Sequence, residues 1–219
     1  MSKIKVKQKK EAYVCHLSER QKYIVQDEKH NSKAFVPIQI DAGNFVEVVQ
    51  VDGGLITGLP KGSNICDNLI YTIKDCSMGL NITWFIELKG TKNEHEAKHS
   101  IDQILESIQY MQDQVMYPQA EKYIKNRDYV FAAVAGAPDK TLPVINNKSL
   151  RMLCRKLQAI SGKGREVKDM FTLFFYIKPN KNCMKAEVKK NAPPYDILCY
   201  NNRGGGYIQY PSMLKKLLT

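Results

Sequence analysis

The chain has 219 residues, 43% hydrophobic and 9% aromatic, enough to bury one sizeable core. Lysine and arginine number 33 against 22 acidic residues, and the net charge of +11 favours polyanionic partners, either nucleic acid or an anionic membrane surface. No stretch reaches the roughly 20 apolar residues that span a bilayer, no apolar signal core follows the basic start, and six scattered cysteines without a C-x-x-C pair form neither a disulfide framework nor a zinc ribbon.

Reduced thiols in a cytoplasmic protein, with no membrane partner, are the resulting expectation. Along the chain, residues 17–30 are polar with scattered apolar positions and predict a helix. Phe45 to Val51 alternates and is rich in β-branched residues, so it predicts a strand, with Gly53-Gly54 turning it into a hairpin with Leu55-Ile56-Thr57. Ile65 to Ile73 predicts a second strand, Asp75 to Asn81 a turn, and Thr83 to Leu88 a third strand ended by Gly90. From Ala97 to Val115 apolar residues recur at steps of three and four, one stripe of an amphipathic helix. Asp128 to Ala135 is nearly all apolar, as expected of a strand covered on both faces. A basic helix near 149–160, a strand at 171–177 and another around Ile197 to Tyr200 complete an α/β sandwich with a mixed sheet.

In the third strand, residues two apart share a face, so Phe85, Glu87 and Lys89 lie opposite Trp84, Ile86 and Leu88. A carboxylate beside an ammonium at a strand end is often an edge ion pair of small value. Asp67 changes the balance. It begins the second strand, and in an antiparallel pair the start of one strand lies near the end of the next. Two converging carboxylates repel unless a cation sits between them. Mg²⁺, with Mn²⁺ as substitute, suits hard oxygen ligands and leaves room for a phosphate. Phosphodiester hydrolysis is the chemistry such a cluster supports, with Lys89 orienting the attacking water and offsetting transition-state charge.

Asp67, 19 intervening residues, and then Glu87-Leu88-Lys89 resembles the PD-(D/E)xK nuclease superfamily. The segments Cys66-Asp67-Asn68-Leu69-Ile70 and Phe85-Ile86-Glu87-Leu88-Lys89-Gly90 resemble its second and third core strands. The resemblance implies a restriction-endonuclease-like αβββαβ core over about residues 17–137 of a single nuclease domain spanning 1–219, its mixed central sheet flanked by helices, with 138–219 as a C-terminal extension. It implies Asp67 and Glu87 as metal ligands, the Leu88 carbonyl as a backbone ligand and Lys89 as the catalytic lysine. It further implies a Mg²⁺-dependent endonuclease acting on DNA, of the kind found among restriction and anti-phage effectors, as a homodimer or within a larger complex. Cys66 stands where the family has proline. The acid that the family often takes from its first helix is left open among Glu19, Glu28 and Glu47. Gln103 matches a glutamine that some branches place on the helix after the lysine; a solvated helix glutamine is the equal alternative. A nuclease fold kept for binding alone, without turnover, is the second reading of the whole.

His95-Glu96-Ala97-Lys98-His99 fits H-E-x-x-H, a zinc-protease pattern. Its histidines project away from the apolar stripe, Lys98 puts a positive charge inside the motif, and no third ligand pattern follows, so the motif is set aside. Lys148, Arg151, Arg155 and Lys156 cluster on the basic helix, with Lys163 and Arg165 in the loop after it. Lys178, Lys181, Lys185, Lys189 and Lys190 continue the excess, and Arg203-Gly204-Gly205-Gly206-Tyr207 reads as a loop able to approach a nucleic-acid backbone closely. No separate base-reading module is apparent, so sequence preference does not follow from the chain.

Overall fold

The computed structural model describes residues 13–26, 34–76, 78–89, 94–136, 148–167, 170–179, 186–190, 198–202 and 207–214. The strands are β1 (Val14–Leu17), β2 (Lys22–Gln26), β3 (Phe35–Ile40), β4 (Phe45–Gln50), β5 (Asn68–Lys74), β6 (Ile82–Lys89), β7 (Tyr129–Gly136), β8 (Phe174–Pro179), β9 (Ala186–Lys190), β10 (Leu198–Asn202) and β11 (Ile208–Tyr210). Among the described residues the α-helices are α1 (Glu94–Gln112) and α2 (Lys148–Ile160), and short 3-10 turns lie at Pro118–Tyr123, Gly164–Glu166 and Met170–Leu173. The protein is therefore mixed α/β, as expected.

Eight strands form one mixed sheet in the order β1-β4-β5-β6-β7-β8-β10-β9. Neighbours from β1 to β6 pair antiparallel, whereas β6, β7 and β8 run parallel. Parallel neighbours need a crossover, and right-handed crossovers that step the same way along a sheet place their helices on the same face. Accordingly α1 (between β6 and β7) and α2 (between β7 and β8) pack against each other as well as on the sheet. A three-stranded sheet, β11-β3-β2, covers the opposite face, where β3 meets β7 and β8.

Strand alternation sorts the core between these two faces. Trp84 is fully buried and stacks on Tyr210 of the small sheet, with ring centroids 5.8 Å apart and planes 2° apart; it also meets Phe175 edge-on at 5.7 Å. Phe131 and Phe175 continue that layer at 5.6 Å. Phe85 and Glu87 point the other way, toward the helices. β7 carries Ala132, Ala133 and Ala135, all buried, and their small side chains let neighbouring layers approach closely.

Several expected elements differ. Residues 17–30 form no helix where described: Leu17 ends β1, Lys22–Gln26 is β2, and Glu28 lies outside the described residues. Both strands have exposed positions and pair with distant partners, β1 with β4 and β2 with β3, so tertiary pairing overrides a weak local pattern. The first helix of the expected αβββαβ order is thus absent among the described residues, and strands precede β4 instead. Leu55-Ile56-Thr57 forms no return strand. Gly53 has φ +65°, a Cβ on Gly54 would lie 2.5 Å from the Gln50 carbonyl oxygen, and the turn closes through Leu55 N–H to Gln50 O at 3.0 Å. Strand β3, with Pro37 in its middle, is an element that the sequence patterns do not announce.

Candidate active site

The register of β5 on β6 brings the acidic residues together. Asn68 lies opposite Ile86, so Asp67, one residue earlier, faces Glu87, one residue later. Their backbones and side chains are interlocked: Asp67 N–H donates to Glu87 Oε2 at 3.1 Å, and Leu88 N–H donates to Asp67 Oδ2 at 2.7 Å. Lys89 Nζ stands 2.8 Å from Glu87 Oε1, its side chain 23% exposed and that of Glu87 fully buried. Glu87 and Lys89 share the helix-facing side of β6, as alternation predicts. The site sits where β6 ends beside β7, with Lys89 in register with Gly136.

Burial and the neighbouring Asp67 charge hold the Glu87 carboxyl well above the usual carboxylate range, and Lys89 acts in the opposite direction. Cys66, adjacent and fully buried, has its thiol pushed up by desolvation in the same way. Ionisation of Glu87 is therefore disfavoured: burial and the Asp67 charge outweigh the Lys89 ammonium. A divalent cation would relieve that repulsion.

Helix α1 grips the chain leading into β5 at three successive residues. Glu106 accepts from Asn64 N–H at 3.3 Å and from its side-chain amide at 3.0 Å, Gln103 Nε2 donates to Ile65 O at 2.9 Å, and Ser107 Oγ accepts from Cys66 N–H at 2.8 Å. Ser107 Oγ–H in turn donates to Gln103 O at 2.7 Å. The turn after β4 completes the hold, since Val51 N–H donates to Asp67 O at 2.9 Å. Gln103 thus lies two residues from Asp67 through Ile65, and its Oε1 is buried without a hydrogen-bond partner. A lone helical glutamine offered no sign of this, but Gln103 and Ser107, one helical turn apart, share the face that reaches β5.

Of the three candidates for an additional acid, the two that are described stand elsewhere. Glu19 accepts from Gly43 N–H at 2.7 Å. Glu47 lies on β4 opposite Tyr71, four residues before Val51, which is roughly 13 Å along the strand. There it pairs with His16 at 3.7 Å and Lys122 at 3.3 Å. Glu28 is outside the described residues. Among the described residues, no group of three or more His, Cys, Asp or Glu side chains is placed to hold a metal ion. Two carboxylates, Asp67 and Glu87, are the acidic side chains the site brings together, fewer than the three or four protein ligands of a zinc site and of the kind that a hard cation keeping several waters would accept. Of H-E-x-x-H, His99 is exposed on α1, and the side chains of residues 95–98 lie outside those described.

In the basic remainder, Lys163 pairs with Asp128 at 3.7 Å, while Lys181, Lys185 and 203–206 lie outside the described residues. Arg127 went unnoticed in the sequence. Its guanidinium is buried over the Tyr71 ring at 4.3 Å and donates to Thr72 O and Ile82 O, both at 3.0 Å, tying the end of β5 to the start of β6. Burial lowers its pKa from the ordinary arginine value.

Comparison with protein-family models gives no match, comparison with curated proteins gives none, and comparison with solved structures gives none. No helix among the described residues is long and apolar enough to cross a membrane.

Proposed function

We propose that this protein is a Mg²⁺-dependent nuclease that hydrolyses phosphodiester bonds in DNA. The observation that carries the reading is the interlocked pair at the end of β5 and β6, Asp67 against Glu87, with Lys89 on the buried carboxylate. Asp67 and Glu87 would hold the cation, with the Leu88 carbonyl as the further ligand that the family resemblance implies. The bound ion supplies Lewis acidity and charge neutralisation at the scissile phosphate. Lys89, only part-exposed, holds one ammonium proton toward Glu87 and presents the others at the open side of the site, where they orient a water and offset developing charge. Gln103, through its unpartnered Oε1, supplies an acceptor in the layer beneath. A restriction or anti-phage role, and a dimer that cuts both strands, extend the same analogy.

A second reading is favoured by one specific finding. Among the described residues no first helix precedes β4 and none supplies a further acid from that source, a pattern that suits a nuclease fold retained for binding nucleic acid or a protein. Incubating purified protein with plasmid and Mg²⁺ or Mn²⁺, with an EDTA control and the Asp67→Asn variant alongside, separates the two. Metal-dependent cutting that Asp67→Asn abolishes is expected. Salt-sensitive binding with no cutting under either metal would favour the binding module.

A further inference from the structure

Helix α2 carries charge of one sign only. Its 13 residues include Lys148, Arg151, Arg155 and Lys156 and no acid. Leu150, Leu153, Cys154 and Leu157 are buried and fix its orientation, which leaves Lys148 and Arg155 exposed and Lys156 half-buried. Lys148, Arg155 and Lys156 make no ion pair among the described residues, whereas Lys89, Lys122, Lys125 and Lys163 each face a carboxylate.

Local helix energetics runs against this pattern. A cation in the first turn opposes the helix dipole, and Arg151 and Arg155, four apart, are like charges on one face. Each is a small local destabilisation that an acidic residue at the same position would relieve. A negatively charged partner gives the pattern a physical reason.

The crossover fixes where that face lies. α2 returns the chain from the end of β7 to the start of β8. Just beyond its last residue, Ser161 Oγ accepts from Val130 N–H at 2.8 Å, and Gly162 N–H donates to Arg127 O at 2.7 Å, both at the start of β7. Lys89 is in register with Gly136 at the other end of β7. The N-terminal half of α2, with Lys148 and Arg151, is therefore at the same end of the sheet as Asp67, Glu87 and Lys89, about 20 Å from the anchored end.

We propose that the outward face of α2 is the docking surface for a nucleic-acid phosphate backbone, leading it toward the Asp67–Glu87–Lys89 cluster; the direction of travel rests on the nuclease reading, the binding does not. Met152, half-exposed between Lys148 and Arg155, gives that face one apolar contact, too little for a lipid surface to be the better partner.

The test uses the full chain carrying Glu87→Gln and Lys89→Met, in EDTA, titrated with a short labelled duplex over a salt series. Adding Lys148→Ala and Arg155→Ala removes two phosphate contacts. The slope of log affinity against log salt should flatten by about 1.8, so the affinity change between about 50 and 200 mM salt shrinks roughly 12-fold. Lys22→Ala with Lys74→Ala, both exposed on other elements, should leave the slope unchanged, and melting should be unaltered in both variants. An unchanged slope for the α2 variant, or an equal change in the control, overturns the proposal. So does a loss confined to phosphatidylserine vesicles with duplex binding intact. If the α2 face proves to bind duplex but the unsubstituted protein never cuts, the nuclease reading fails alone; if it cuts with an unchanged slope, only the docking surface fails.

Discussion

Replacing Lys89 by methionine isolates the electrostatics of the candidate site, because the apolar stem is nearly conserved and only the ammonium goes. At 2.8 Å the pair with Glu87 has a gross attraction of about 6 kcal/mol at an effective dielectric near 20. Solvation of the part-exposed ammonium and its lost freedom offset part of that, and breaking a buried pair from one side costs about 3–5 kcal/mol. For a chain of this size that corresponds to a fall in Tm of roughly 6–20 °C. The loss depends on pH with a definite sign. Glu87 already titrates above its unfolded value, so its ionisation lowers stability as pH rises through the raised value. Without Lys89 that value climbs further. The penalty is therefore absent while Glu87 is protonated in both proteins, and grows as pH passes the natural protein's raised value. Thermal melts in EDTA from about pH 4 to pH 9 would follow it. Glu87→Gln added to Lys89→Met should restore most of the stability at alkaline pH. A loss equal at every pH, and untouched by Glu87→Gln, would refute this account and assign Lys89's contribution to its packed stem.

Ser107→Ala leaves Cys66 N–H buried without its acceptor, and urea unfolding should show a cost of about 1–3 kcal/mol, with Ser107→Thr largely neutral. Trp84→Ala opens the stack on Tyr210 and should cost about 3–5 kcal/mol, accompanied by loss of near-ultraviolet circular dichroism. Glu87→Gln alone should raise stability in metal-free buffer above neutral pH and have no effect below about pH 4, where the carboxyl is protonated in both states. On the proposed function, Mg²⁺ should raise the melting temperature of the natural protein in a thermal-shift assay, and that increase should disappear in Glu87→Gln.

Elements whose periodicity is set locally were legible. β4 shows alternation, β6 reads as a short apolar strand ended by a glycine, α1 shows its stripe, and β7 reads as a continuous apolar run because helices cover one face and a second sheet the other. Asp67 facing Glu87 followed from antiparallel pairing across one turn. What escaped is set at a distance. β1 and β2 are half-exposed, with too few apolar positions to reveal a period, and each is held by a strand the local text does not name. β3 contains Pro37, which argues against a strand, yet it is the central strand of the small sheet. The grip of α1 on Asn64, Ile65 and Cys66 combines a glutamine, a glutamate and a serine, types equally common on a solvated face, so only the packed structure distinguishes them.

The small sheet has a consequence for how the chain becomes itself. β11 lies beside β3, and Tyr210 is the ring on which Trp84 stacks. During synthesis, β2 through β7 have all emerged long before residues 208–210 exist, so the Trp84 face lacks its Tyr210 cover while more than 70 further residues are made. At about 5–20 residues per second that interval lasts several seconds. Throughout it, the part of the aromatic layer that Tyr210 will cover is open to chaperones and to other nascent chains, and a message truncated before β11 would yield a chain fixed in that sticky, half-sealed form.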